Sequence, residues 1–192
     1  IPKGYSIPND ADYFNCTSNN TVAGTQMKDF PKTDVPLICD MSSDIFSRQL
    51  DFEKFDLIYA GAQKNMGPAG TTLVFPVYVS MLTLQWLKDL GGIPFIEKVN
   101  NQKAELLYSE IDRNPLFKGI VAKEDRSTMN ATFVLTDDSL TEKFDKMWQD
   151  ANINGLHGHR SVGGYRASMY NALPLYSVQA LVDVMQELER NN

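Results

Sequence analysis

The sequence predicts an α/β protein, with part of a large sheet domain followed by a small carboxyl-terminal α+β domain. Three observations carry that prediction. Val35-Pro-Leu-Ile-Cys-Asp-Met is an unbroken apolar run closed by a carboxylate. Continuous rather than alternating hydrophobicity marks a strand covered on both faces, as in a parallel sheet. Phe55 to Tyr59 and Thr71 to Val74 read as two more buried strands, one on each side of a turn. From Val77 onward the periodicity becomes helical, then strand and helix alternate to the end, which fits a small α+β unit packed on that sheet. The expected division is 1–76 for the partial large domain, 77–92 for a connecting helix and 93–192 for the small domain.

Residues 1–10 are polar and proline-punctuated, which reads as a loop, and Ala11 to Phe14 is a short strand candidate. Thr17-Ser-Asn-Asn-Thr-Val is rich in turn formers. Val77 to Leu90 places Val79, Leu82 and Trp86 on one helical stripe, and Gly91-Gly92 interrupts it. Ile93 to Ile111 resumes a helix with Ile96, Val99, Leu106, Leu107 and Ile111 on one face and charges opposite. Thr128 to Leu135 reads as a strand. Ser139-x-x-Glu142 has the form of a capping box opening a helix whose inner face is Leu140, Phe144, Met147, Trp148 and Ala151. A loop-and-strand segment, Gly155 to Ser168, leads to a last helix that buries Val178, Leu181, Val182, Met185 and Leu188.

Composition narrows the function classes. Hydrophobic residues make up 43% and charged residues 22% of the 192, the balance of an ordinary globular protein. A formal net charge of -6 argues against a general nucleic-acid or anionic-membrane surface. No apolar run approaches the roughly 20 residues that span a bilayer. Cys16 and Cys39 fit no metal motif and are expected to be reduced thiols. The Asn-x-Thr triplets at Asn15, Asn19 and Asn130 are read as chance matches.

Two stretches carry candidate chemistry. Tyr59-Ala-Gly-Ala-Gln-Lys-Asn-Met-Gly-Pro-Ala-Gly70 delivers Lys64 between two strands through a glycine-flanked turn. Desolvation at a sheet edge would leave that amine nucleophilic toward a carbonyl compound, although N-x-G-P-x-G is also an ordinary turn. Asp40 falls near the carboxyl end of its strand, where open α/β sheets place ligands. A turn or helix-capping aspartate would sit there equally well. From Ala151 to Val182 there is no Asp or Glu, yet His157, His159, Arg160 and Arg166 fall in that span. Arg166 offers a planar fork for a carboxylate, and His159 with Arg160 could hold a phosphate. A solvated hairpin with incidental basic residues would read the same way.

Three stretches, in order, resemble the phosphoserine aminotransferases, pyridoxal-phosphate enzymes of the type I fold. They are Cys39-Asp-Met-Ser-Ser-Asp-Ile-Phe-Ser-Arg48, Ala60 to Gly70, and Gly158-His-Arg-Ser-Val-Gly-Gly-Tyr-Arg-Ala-Ser-Met-Tyr-Asn171. The resemblance implies that Lys64 carries pyridoxal 5'-phosphate and acts as general acid and base. It further implies that Thr21, Asp40 and Gln63 contact the cofactor, Asp40 pairing with the pyridine nitrogen. Arg166 would hold the substrate α-carboxylate, and His159 with Arg160 the substrate phosphate. Arg48 is expected to be structural, and His157 lies outside the pattern. The implied enzyme is a cytoplasmic homodimer of serine biosynthesis, with pyridoxine biosynthesis as a second route, acting on phosphoserine, glutamate and 2-oxoglutarate.

The sequence departs from that family twice. Nothing corresponds to a preceding segment that supplies much of the phosphate site and the ring-stacking residue. Val74 also runs directly into Phe75, where the family carries a further stretch reaching the partner subunit's cofactor. Residues absent at both places are the expectation. The rival readings are another pyridoxal-phosphate enzyme of the same fold, or a non-catalytic fragment.

Overall fold

The computed structural model describes residues 1–67 and 75–192, with side chains from residue 81 onward in the second stretch. Strands β1 (Phe14–Thr17), β4 (Leu37–Asp40) and β5 (Leu57–Tyr59) form a parallel sheet in the order β1-β4-β5. Between β1 and β4 lies a small antiparallel hairpin, β2 (Asn19–Asn20) and β3 (Thr25–Gln26). The parallel sheet predicted from Val35 to Met41 is therefore observed. The first strand lies later than the Ala11–Phe14 segment, because Phe14 is its first residue to pair, opposite Leu37.

The expectation that Phe55 to Tyr59 is buried fails. Leu57 is 53% and Tyr59 45% exposed, because β5 lies at the end of the described strand order with no described strand beyond it. The predicted strand Thr71–Val74, the Gly67-Pro68-Ala69-Gly70 turn in large part, and the Val74–Phe75 junction lie outside the described residues.

Helix α1 (Phe75–Asp89) and helix α2 (Gly92–Arg113) meet at Gly91, whose φ of 108° only glycine adopts readily. Leu82 and Trp86, expected to be buried, are instead exposed, and among the described side chains of α1 Leu87 is the buried apolar one. Val79 lies outside the described side chains. On α2 the expected face holds, with Ile96, Leu107 and Ile111 buried. The opposite, charged face is not wholly solvated, since Lys103 and Glu110 are buried as well.

A second, antiparallel sheet has the order β6-β7-β8, from β6 (Phe117–Gly119), β7 (Asn130–Leu135) and β8 (Tyr165–Ser168). Helices α2, α3 (Thr141–Asp150) and α4 (Leu175–Arg190) pack with it around the main core. All five residues predicted to face inward on α4 are buried. The rings of Phe117, Phe133, Phe144 and Tyr165 interlock at centroid distances of 5.0–5.8 Å, a geometry that adds to area burial. The capping box is not formed. Asp137 accepts the Ser139 amide and caps a short 3-10 turn, from which α3 starts at Thr141 without a side-chain cap. Ala151, assigned to the inner face, is exposed because the helix has ended at Asp150.

Candidate active site

The parallel sheet positions the first two candidates. Asp40 is the last residue of β4 and pairs in register with Tyr59, the last of β5. Both strands run the same way, so Asp40 and the turn bearing Lys64 leave the sheet at the same carboxyl edge, where α/β sheets collect ligands. A short relay joins them. Asp40 Oδ1 accepts the Ser42 amide at 2.8 Å, and Ser42 Oγ accepts the Gly61 amide at 3.0 Å. The other carboxylate oxygen of Asp40 takes no hydrogen bond among the described residues.

Lys64 is half-buried, and its Nζ donates to Thr21 Oγ1 at 2.8 Å. Thr21 sits in the turn of the β2–β3 hairpin, so a residue 43 positions away is brought onto the amine. Gln63 is exposed, with its amide folded back over Gly61.

The hairpin that carries Thr21 docks on the second sheet. Thr132 Oγ1 on β7 donates to Ala23 O at 3.0 Å. Gly24, at φ 73°, lies so close that a Cβ there would stand 2.7 Å from Asn130 O. Asn19 Nδ2 donates to Asn130 Oδ1 at 3.0 Å and to Ser43 Oγ at 2.8 Å, and Ser127 Oγ donates to Asn19 Oδ1. Arg166 on β8 is the register partner of Thr132, and paired residues share a sheet face. Arg166 thus lies on the face where the Thr21 hairpin sits. Its Nε, like that of Arg48, is buried with no partner among the described residues, and an orphaned donor of this kind is one that an incoming carboxylate satisfies. A cavity of about 420 Å³ opens beside Arg166, lined also by Asn154, Ser168 and Tyr176; Lys64 and Asp40 do not line it.

His159 and Arg160 stand apart from this group. They project from an exposed turn, in which the His159 carbonyl accepts the amides of Val162 and Gly163 at 2.9 Å each. His159 Nδ1 lies 2.8 Å from Ser161 Oγ. Gly164, at φ 58°, lets the turn pass close under Phe133 O before the chain enters β8. The structure therefore joins Lys64 to Thr21 directly, ties Asp40 through Ser42 to Gly61 at the start of the Lys64 turn, and puts Arg166 on the sheet face that carries the Thr21 hairpin. It leaves Gln63, His159 and Arg160 in solvent. His157, outside the predicted set, stacks on Tyr165 and lies 3.6 Å from Asp145.

The expectation that Arg48 is structural agrees with its contacts. Its guanidinium pairs with fully buried Asp44 at 3.1 Å and lies over the Phe30 ring. Asp44 also accepts from Ser18 Oγ and from Gln26 Nε2. Sequence reasoning passed over Asp44, Asn65, Asn100, Lys103 and Asn171. Three of them lie inside the quoted stretches, which was the available signal, but a polar residue carries no periodicity to reveal that it is buried. Cys16 and Cys39 are free thiols facing each other across β1 and β4, with sulfurs 3.7 Å apart.

Comparison with known proteins gives this geometry a family. The class-V aminotransferase model matches residues 5–76 and 69–181. The chain is 64% identical to a phosphoserine aminotransferase of Flavobacterium psychrophilum over 98% of its length, and 47% identical to that of Parabacteroides distasonis over 100%. It spans only 63% and 64% of those proteins. The first alignment runs over 224 positions, more than the chain's 192 residues, so that relative has internal positions the chain lacks. Among solved structures, the phosphoserine aminotransferase of Bacillus circulans subsp. alkalophilus superposes with a TM-score of 0.92 at 38% identity. That match covers 96% of this chain and 62% of the other. The PLP-bound enzyme of Trichomonas vaginalis superposes with a TM-score of 0.88 at 32% identity, covering 95% and 62%. No helix among the described residues is long and apolar enough to cross a membrane. The chain belongs to the class-V aminotransferase family.

Proposed function

We propose that the chain is part of a phosphoserine aminotransferase that uses pyridoxal 5'-phosphate on Lys64. It would exchange the amino group between glutamate with 2-oxoglutarate and phosphoserine with 3-phosphohydroxypyruvate. The observation that carries this reading is the arrangement of three groups: a lysine amine held by a threonine, a carboxylate at the same sheet edge with one oxygen unbonded among the described residues, and, on the sheet face that carries the threonine's hairpin, an arginine whose buried Nε has no partner among them. These groups fit the cofactor and an amino-acid substrate. The similarity to named relatives over nearly the whole chain supports the same reading.

When bound, pyridoxal phosphate supplies an electron sink for the negative charge that develops at the substrate Cα. The protein's residues do the rest. Asp40 would hold the cofactor's pyridine nitrogen protonated, because a carboxylate alongside stabilises the charged form. Lys64 would hold the cofactor, and its amine would move the substrate Cα proton as general acid and base. Thr21, which accepts a hydrogen bond from that amine, would orient it and hydrogen-bond the cofactor ring. Gln63 would contact the cofactor. Arg166 takes the α-carboxylate in its fork, and His159 with Arg160 takes the phosphate or the glutamate side-chain carboxylate. The enzyme would be a cytoplasmic homodimer of serine biosynthesis, with pyridoxine biosynthesis as a second route.

The test is direct. Supplied with pyridoxal phosphate, phosphoserine and 2-oxoglutarate, the protein should release glutamate. Cofactor held on Lys64 without glutamate formation would favour the alternative, a non-catalytic fragment of such an enzyme. The share of the relatives' length that the chain spans gives that alternative its weight.

A further inference from the structure

We infer that Asn171, with Asn65 and Asn100, is a positioning residue that sets the Lys64 turn against the strand bearing Arg166; this rests on the aminotransferase reading above. The three asparagines come from three separate stretches: the lysine turn, helix α2 and the segment after β8. Each gives a side-chain amide to one of three consecutive carbonyls. Asn65 Nδ2 donates to Ile45 O at 3.0 Å, Asn171 Nδ2 to Phe46 O at 3.1 Å and Asn100 Nδ2 to Ser47 O at 3.0 Å.

Phe46 makes this possible. It has a φ of 59°, a left-handed conformation that is strained for a residue with a side chain. Such strain persists where the surroundings over-determine it. The asparagines also bind one another. The backbone N–H of Asn171 donates to Asn65 Oδ1 at 3.3 Å, and Asn100 Nδ2 donates to Asn171 Oδ1 at 2.9 Å. All three are buried, where a lost partner is expensive and pairing leaves little freedom.

The consequence lies in what each asparagine is attached to. Asn65 is the peptide neighbour of Lys64. Asn171 follows Arg166 by five residues, and its flanks are fixed by Lys103, whose Nζ donates to the carbonyls of Met169, Tyr170 and Leu173 at 2.9–3.1 Å. The Asn171 backbone bond to Asn65 therefore joins the amine-bearing turn to the chain that leaves the Arg166 strand, and the Asn171 side chain holds that junction in place through Phe46 O and Asn100, the two bonds that Asn171→Ala removes. A substrate held at one end by Arg166 must present its Cα to Lys64 at the other, and misplacement of about 1 Å costs up to roughly a hundredfold.

The experiment compares wild type, Asn171→Ala, Arg166→Ala and the double variant. Each is loaded with pyridoxal phosphate, trapped with borohydride to count adduct on Lys64, and titrated with glutamate by absorbance before trapping. Asn171→Ala should load as wild type does and bind glutamate about tenfold more weakly. In the Arg166→Ala background the same substitution should cost nothing further, since its effect passes through Arg166. Unchanged glutamate affinity in Asn171→Ala, or an equal loss in both backgrounds, overturns the inference while leaving the aminotransferase reading intact. Absence of adduct on wild-type Lys64 overturns that reading instead. Should Asn171→Ala fail to fold, Asn100→Ala carries the test, since alanine suits its helix. A few-fold weaker glutamate binding is expected there, and wild-type affinity overturns the inference.

Discussion

The two halves of the molecule are held together by different means. The carboxyl-terminal half has a single large apolar core, built by α2, α3, α4 and the antiparallel sheet around Phe133, Phe144, Leu107 and Met185. The amino-terminal half has a small one, with Cys39, Met41 and Ile45 as its buried members. What that half lacks in apolar burial it makes up in polar bonds: Asp44 with Ser18, Gln26 and Arg48, and the asparagines around Phe46. The difference teaches where the chemistry can sit. An apolar core tolerates repacking and specifies no single contact, whereas a hydrogen-bonded seam fixes atoms to a fraction of an ångström. Lys64, Asp40 and Thr21 all stand in the hydrogen-bonded half.

Breaking the apolar half should have the largest effect. Phe133→Ala removes a ring that is fully buried and contacts Phe117 and Tyr165. It should cost about 3–5 kcal/mol of stability, read as a lowered urea midpoint. A loss below about 1 kcal/mol would mean that this core does not dominate.

Breaking a polar anchor inside the carboxyl-terminal half, the one that fixes the segment carrying Asn171, should cost less but change with pH. Lys103→Met leaves three buried or half-buried carbonyls without their donor and should cost about 2–3 kcal/mol in neutral solution. Burial pushes the Lys103 ammonium down to about 8 from the usual 10.5. Below pH 8 both folded and unfolded chains carry the proton, and the desolvation penalty is present in full. Between 8 and 10.5 the unfolded chain binds more protons than the folded one, so wild-type stability should rise through that window relative to Lys103→Met. Urea unfolding on either side of pH 8 measures the difference. A difference that does not vary with pH would place the Lys103 amine in a solvated setting.

These contrasts also explain what the sequence could disclose. α4 was legible because five apolar residues at helical spacing all face one core. β4 was legible because its run is apolar on both faces and ends in Asp40. The stripe on α1 and the β5 residues Leu57 and Tyr59 misled, because apolar pattern tells which face wants cover, not whether the described chain supplies it. Ser139 has the capping-box spacing, yet Asp137 two residues earlier took the cap, a competition that spacing alone does not decide. In the candidate site, the quoted stretches single out Lys64, Asp40 and Arg166, whose roles are those proposed above. The asparagine seam was not legible, since Asn65, Asn100 and Asn171 come together only after three distant segments fold onto Phe46. Lys103 was hidden among the charges of the outward face of α2, where a solvated lysine has the same sequence signature.

The most direct test of the account is to treat the protein with pyridoxal phosphate, reduce with borohydride and map the labelled peptide. The account predicts one adduct, on Lys64, abolished by Lys64→Ala. Label on Lys28, Lys103 or a spread of surface lysines, with Lys64 unmodified, would contradict it.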